Sequence, residues 1–334
     1  MLRRRGQSPR RGRLMNSMRH SDRQANRERA TAGPGRPGAP CGASILALAD
    51  DAYPRLLREI NDPPARIWVK GSLPHGHGIA VVGSRACTPS GRRIAHRLGV
   101  DLARAGLVVV SGLARGIDSA AHRGALDGGG ETIAVLPCGI DRVYPPANRV
   151  LARRIAASGA LISELEPGTE VRKSSFVQRN RIIAGLALAV VVVEAARQSG
   201  AKITAAYAAD YDRELLAVPG SLASPVSEGA IELLIDGAAI CTGVESVLEQ
   251  LRPAVANPAR RRLERARGSG ASTIAGLDDA GRAVLEAIPE RGGCSVDGLA
   301  NATRLGVGTL LAVLTDLEVR GLIRSVGSQR YERA

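Results

Sequence analysis

The sequence predicts an α/β fold, a Rossmann-like doubly wound sheet of mostly parallel strands, followed by a small C-terminal winged-helix module. Three observations predict it. From Ile79 onward, short β-rich runs alternate with helix-length Ala/Leu/Arg stretches. Several of those runs are apolar without alternation, as in strands covered on both faces. Residues 277–334 then change character, with helical apolar spacing and a terminal hairpin pattern.

Taken in order, residues 1–40 carry eleven arginines against two acids and have no apolar periodicity. They read as a disordered basic extension, or as a stretch upstream of a true start at Met15 or Met18. Residues 41–75 read as a short helical lead-in, not as a domain. Residues 76–251 read as the Rossmann-like domain. Its strand runs are IAVVG (79–83), LVVVSG (107–112), TIAVL (132–136), ALISE (160–164), LAVVVVE (188–194) and ELLAVPG (214–220), with helices such as Pro89–Ala105 and Ala201–Tyr211 between them. Residues 252–272, containing Pro253, Pro258 and RRRLERAR, read as a basic linker. Residues 273–334 read as winged-helix-like. Ser295 is a candidate N-cap there, Gly306–Arg320 an amphipathic helix, and Gly327 and Ser328 a turn.

Composition excludes several classes. The chain has 334 residues, 44% of them hydrophobic, yet no apolar run approaches the roughly 18–20 residues of a membrane span. Aromatics are 2%, so Ala, Val, Leu and Ile must build the cores. The cysteines at 41, 87, 138, 241 and 294 form no CxxC pair. Neither a zinc site nor a disulfide framework follows, and a reducing cytoplasm is the expected compartment. The net charge of +14 concentrates in residues 1–40 (+9) and 252–268 (+5), and the rest is nearly neutral. An anion site in the folded part must therefore be local.

Four motifs carry candidate chemistry. Gly83-Ser84-Arg85 follows a strand. The glycine allows a sharp turn, and Arg85 offers a planar fork to a phosphate, unless this is simply a turn. In Ser111–His122 (SGLARGIDSAAH), Gly112 and Gly116 flank a turn into a helix. Asp118 and His122 share a helical face there, either as an acid–base pair or with Asp118 holding loop amides and His122 bonded to it. The stretch Lys173–Gly185 gathers Lys173, Arg179, Asn180 and Arg181 around Phe176, the one Phe of the chain. Cations suit phosphates and an aromatic face suits a base, at roughly 1–3 kcal/mol per stacked base. The alternative is a core Phe beside solvated arginines. Finally, Ser199 and Gly200 open a helix containing Thr204 after the VVVV strand, as an anion site or as ordinary capping. No GxxxxGK[ST] and no GxGxxG occurs, so neither ATP hydrolysis nor dinucleotide binding is indicated, and no cofactor is expected.

In this order and spacing, the motifs resemble the DNA-processing protein A (DprA/Smf) family. The matching elements run from Tyr53 to about Ala239: YPRLL with INDPP, VGSR, SGLARGIDSAAH, TIAVLPCGIDRVYPPAN, LISE, RNRIIAGLA, VVVEAARQSGAKITA, AVPG and LIDGA. The resemblance implies a non-enzymatic protein of natural transformation and recombination. It implies binding of single-stranded DNA, loading of the recombinase RecA, and a homodimer. Carried over by position, Ser84, Arg85, Lys173, Phe176, Arg179, Asn180 and Arg181 would contact DNA. Gly83, Gly112, Gly116, Asp118, Ser199, Gly200 and Thr204 would shape the pocket. Val171, Val177, Ala187 and Ile231 depart from the family pattern and leave every cation and the Phe in place.

Two rival readings stand beside this one. A phosphoribohydrolase-like nucleotide hydrolase on the same core would use Asp118 and Glu194 as acids. A duplex-reading regulator would use the winged helix, against its charge of −1 over residues 269–334.

Overall fold

The computed structural model describes residues 42–275, 277–289, 292–319, 322–326 and 330–333. The chain divides between Leu263 and Glu264 into two compact units. The basic extension and the Gly327–Ser328 turn lie outside the described residues.

The first unit is one nine-stranded sheet with helices on both faces. Its elements are β1 (Ser44–Ala47), α1 (Arg55–Arg58), β2 (Arg66–Gly71), β3 (Gly78–Val82), α2 (Pro89–Arg104), β4 (Val108–Ser111), α3 (Ile117–Asp127), β5 (Thr132–Val135), α4 (Arg149–Ser158), β6 (Ala160–Ser163), α5 (Lys173–Gly185), β7 (Ala189–Val192), α6 (Gly200–Asp210), β8 (Glu214–Ala217), α7 (Glu228–Ile235), β9 (Ala239–Ile240) and α8 (Val244–Gln250). A helix α9 (Pro253–Ala275) follows. Strand order is β1-β2-β6-β5-β4-β3-β7-β8-β9. Every pairing from β6 to β9 is parallel, while β1–β2 and β2–β6 are antiparallel.

The absence of alternation in the strand runs has a direct cause. Ala80, Val82, Val108, Val110, Val190 and Val192 face one core, under Ile182 and Ile183 of α5 and the alanines of α6. Ile79, Val81, Val109, Ala189 and Val191 face the other, under Leu98 and Leu102 of α2, Ile117 and Ala121 of α3 and Val247 of α8. Both faces are dry, so both parities of each strand are apolar.

Two expectations need correction. The helical lead-in contributes two strands: β1 and β2 extend the sheet past β6, with Ile67, Trp68 and Val69 buried. Only the one-turn α1 is helical there, and the β-branched and aromatic run at 67–69 favours a pleated surface. The basic linker is helical from Pro253. Ala256, Ala259 and Leu263 recur at i, i+3 and i+7 and bury into the α2/α8 core, while Arg260, Arg261, Arg262 and Arg265 are exposed. Pro258 lies in the second turn of this helix, where it removes the amide that would bond the Ala254 carbonyl.

The second unit contains α10 (Asp279–Ala287), β10 (Cys294–Ser295), α11 (Val296–Thr303), α12 (Val307–Val319), β11 (Ile323–Ser325) and β12 (Arg330–Arg333). The strands form an antiparallel sheet in the order β10-β12-β11. Asp278 caps α10 and Ser295 caps α11, each accepting from the amide three residues on. Leu310, Leu314 and Leu317 of α12 are buried with Val284 and Leu299, a helical i, i+4, i+7 stripe.

Candidate nucleic-acid interface

In a doubly wound sheet, loops at the strand carboxyl ends collect on one edge. The sequence direction reverses between β3 and β7, which makes their gap the usual crevice. Here Glu194, just past β7, fills that gap. Its carboxylate accepts from the Thr88 hydroxyl (2.6 Å) and amide (2.9 Å), and Thr88 Oγ1 in turn caps α2 by accepting from Gly91 N. The Glu194 carbonyl accepts from Ser84 N at 2.7 Å. Glu194 is therefore a loop tie and not a free acid.

The open pocket lies to one side, over the ends of β3, β4 and β5. Its volume is about 380 Å³, and it is lined by Arg85, Ala86, Gly112, Ala114, Arg115, Tyr144, Pro145, Phe176 and Arg179. Arg85 sets its guanidinium 4.6 Å from the Phe176 ring centroid. Tyr144 meets the same ring edge-on at 5.7 Å. A half-buried aromatic face and an exposed cation thus share one wall. Lys173 begins α5 one turn before Phe176 and is exposed.

The residues beneath are structural. Arg179 is buried and donates through Nη1 to the carbonyls of Gly112 and of Val135 (2.6 Å), tying the ends of β4 and β5. Gly112 is a requirement of that tie, since a Cβ there would fall 2.2 Å from Arg179 Nη1. Burial pulls the Arg179 pKa down to about 10, with Asp118 opposing, so it keeps its charge at neutral pH. Asp118 accepts from the amides of Gly112 (3.2 Å) and Ala114 (3.3 Å). Burial raises its pKa, against Arg179 and those two amides. Gly116 turns at φ +76°, where a Cβ would meet the Ser84 carbonyl at 2.3 Å. Gly83 packs against Ile117 and the Glu194 carbonyl.

The Asp118–His122 pair does not form. His122 is fully buried, with Nδ1 2.7 Å from Thr132 Oγ1, and that hydroxyl donates to the Val109 carbonyl at 2.6 Å. The hydroxyl proton is therefore used, so His122 donates through Nδ1–H and leaves Nε2 bare. Burial drives its pKa down to about 3, and the ring is neutral.

The basic segment splits into two faces of α5. Arg181 points away from the pocket, buried in ion pairs with Glu164 (2.6 Å) and Asp62 (3.1 Å). Asn180 accepts from Arg179 Nε and donates to the Gly200 carbonyl at 3.1 Å. Ser199 caps α6 through Ala201 N, and Thr204 is buried; neither lines the pocket. Ser84 Oγ accepts from Ala86 N and shapes the loop that presents Arg85. Arg115 and Tyr144 are pocket residues the motif reading did not single out. Both sat inside quoted motifs, GLARG and RVYPP, where the fold alone decides which side chain faces in.

A larger cleft of about 930 Å³ lies at the amino ends of the strands, lined by residues such as His75, His77 and Arg213. None of the predicted site residues borders it. Among the described residues, no cluster of His, Cys, Asp and Glu could hold a metal ion, and no helix is long and apolar enough to cross a membrane.

Fold and site together define a Rossmann-like protein with a cation-and-aromatic pocket at the strand ends and a winged-helix module. The family model described as DNA recombination-mediator protein A matches residues 44–252, and the DprA winged helix domain matches 270–328. The chain belongs to the DNA recombination-mediator protein A (DprA/Smf) family. It is 34% identical over 318 residues to Protein Smf of Synechocystis, covering 86% of this chain and 80% of that protein. It is 42% identical over 207 residues to DNA processing protein DprA of Streptococcus pneumoniae, covering 61% of this chain and 73% of that one. The solved structure of the Streptococcus pneumoniae protein superposes with a TM-score of 0.60, covering 63% of this chain and 74% of that chain. That of DNA processing protein A from Helicobacter pylori, described as having a unique single-stranded DNA binding mode, gives 0.56 at 31% identity, covering 61% of this chain and 93% of that chain.

Proposed function

We propose that this protein binds single-stranded DNA in the β3–β5 pocket and loads the recombinase RecA onto it, in natural transformation and recombination. One observation carries the DNA reading: an exposed guanidinium held 4.6 Å from a half-buried aromatic ring at a pocket mouth. Arg85, Arg115 and Lys173 supply charge for phosphates. Phe176 and Tyr144 supply faces for bases of any identity. The single-stranded DNA binding described for the Helicobacter pylori relative supports the same ligand. We infer a binding protein rather than a hydrolase, because both candidate acids, Asp118 and Glu194, are engaged in holding loops. A homodimer is part of this reading. Ile235 (76% exposed) and Ile240 (60%) lie at the β9 edge of the sheet, where apolar surface favours a second copy.

The test is binding of labelled single- and double-stranded oligonucleotides to the full chain and to Arg85→Glu/Lys173→Glu. The expected result is a single-strand preference that the double variant loses. With about three phosphates neutralised, affinity falls with salt at a log–log slope of roughly −2. Equal binding of both DNA forms, untouched by the two substitutions, overturns the pocket assignment. A RecA-dependent strand-exchange assay on single strands coated with a single-strand binding protein then tests loading.

A further inference from the structure

The pocket accounts for few of the exposed cations on this unit. Helix α2 starts beside it, since Thr88, the cap, follows the loop that presents Arg85. From there α2 runs to the opposite edge of the sheet. Its buried side is Ala95, Leu98, Leu102 and Ala103. Its outward side is arginine. Arg93, Arg97 and Arg104 are all exposed, and at i, i+4 and i+11 they fall within about a 40° arc of the helix surface. The stripe is about 16 Å long. Arg92 stands exposed next to its first member.

The stripe does not end with α2. Gly106, two residues beyond Arg104, is covered by the Arg262 guanidinium of α9. Arg260 and Arg261 are exposed beside it, on the turn whose Ala259 and Leu263 are buried. Arg97 lies 3.6 Å from Asp101. Arg92, Arg93, Arg104, Arg260, Arg261 and Arg262 have no ion-pair partner among the described residues. Seven arginines therefore line a path from the pocket loop to the far edge, with Asp101 on α2 and Glu264 on α9 as the carboxylates of those two helix segments. Such a row does not help folding, since exposed like charges along a helix repel. It matches a polymer with regularly spaced negative charges.

We propose that α2 and the first turns of α9 form a backbone track. On it, the single strand held in the pocket continues past Arg93, Arg97 and Arg104 to Arg262 and its neighbours. This rests on the single-strand reading of the pocket and extends it. The pocket holds bases and phosphates together, whereas the track has no aromatic side chain and holds phosphates alone. It therefore adds affinity for length and none for base identity.

The experiment uses the full chain. Anisotropy titrations over a salt series compare oligothymidines of about six and about twenty nucleotides, short and long relative to common single-strand sites. The proteins are wild type, Arg93→Glu/Arg97→Glu/Arg104→Glu, the corresponding triple Gln variant, and Arg85→Glu/Lys173→Glu. The expected result is that both triple variants bind the long strand roughly tenfold more weakly, with a salt slope shallower by about 2. They bind the short strand like wild type, while the pocket variant loses both. The Gln triple guards against repulsion between new glutamates and Asp101. Triple variants that match wild type on the long strand, or lose both lengths equally, overturn the track and leave the pocket reading intact. A wild type that binds neither length removes the pocket reading and the track with it.

Discussion

His122 shows how much one side chain's surroundings decide. Its Nδ1–H is spent on Thr132, its Nε2 faces no partner, and no solvent reaches it. Protonation would bury a charge and a donor with nothing to receive it. Its folded pKa, about 3, lies below the ordinary 6.5. The unfolded chain thus binds the proton first. The stabilisation is complete above about pH 6.5 and is lost as pH falls from there towards 3. Between pH 6.5 and 4 that loss is about 3 kcal/mol. His122→Asn can still donate to Thr132 and cannot titrate. It is expected to be less stable at pH 7, yet to lose less on acidification, as urea unfolding at a series of pH values measures. An acid dependence identical to wild type contradicts the assignment. The sequence put His122 one turn from Asp118 and on the same face, which spacing alone establishes. It could not tell that burial against β5 would turn the ring to Thr132. Asp118 was legible, because a carboxylate at a glycine-flanked helix start meets free amides.

At the scale of elements, α5 carries two functions on two faces. Phe176 lines the pocket and Lys173 is exposed one turn before it, while Arg179, Asn180 and Arg181 lock the helix to its surroundings. Arg181→Ala leaves Glu164 without its 2.6 Å partner and opens a hole in a buried site. A loss of roughly 3 kcal/mol in unfolding free energy is expected. The protein that stays folded should bind single strands as wild type does, and a selective loss of binding without destabilisation contradicts this division. A run of cations in sequence reads as one surface. Only the helical turn sets Arg181 about 80° around the axis from Lys173 and about 140° from Phe176, the former with about two turns of rise between them. The strands β3 to β8 were legible because doubly covered strands are apolar at every position. The strands β1 and β2 were not, because they lie at the sheet's antiparallel margin, outside the strand–helix alternation that reveals the others. The helix α9 was masked by its prolines and arginines, although Ala256, Ala259 and Leu263 already had the spacing of a buried stripe.

At the scale of the molecule, the two units carry different surfaces. The winged-helix unit has Asp316 and Glu318 on α12, and leaves Val307 (58% exposed) and Leu311 apolar on its outer side. Helix α12 itself carries no arginine or lysine, the side chains that read guanine in a duplex. Removal of residues 277–334 is therefore expected to leave single-strand affinity and its salt slope unchanged in the anisotropy assay. A strong loss of affinity would shift the DNA site towards that unit.

The tie made by Arg179 has a mechanical consequence. A strand gripped at Phe176 and Lys173 that is pulled along its length pulls on α5. The nearest anchor of α5 is a guanidinium seated on the main-chain carbonyls of two neighbouring parallel strands. Load thus passes into the sheet through main-chain atoms, across β4 and β5 together, and not through a flexible loop. Parallel strands loaded lengthwise share that load over all their hydrogen bonds at once. On the proposed single-strand reading, a long-chain ligand meets a grip that resists in shear.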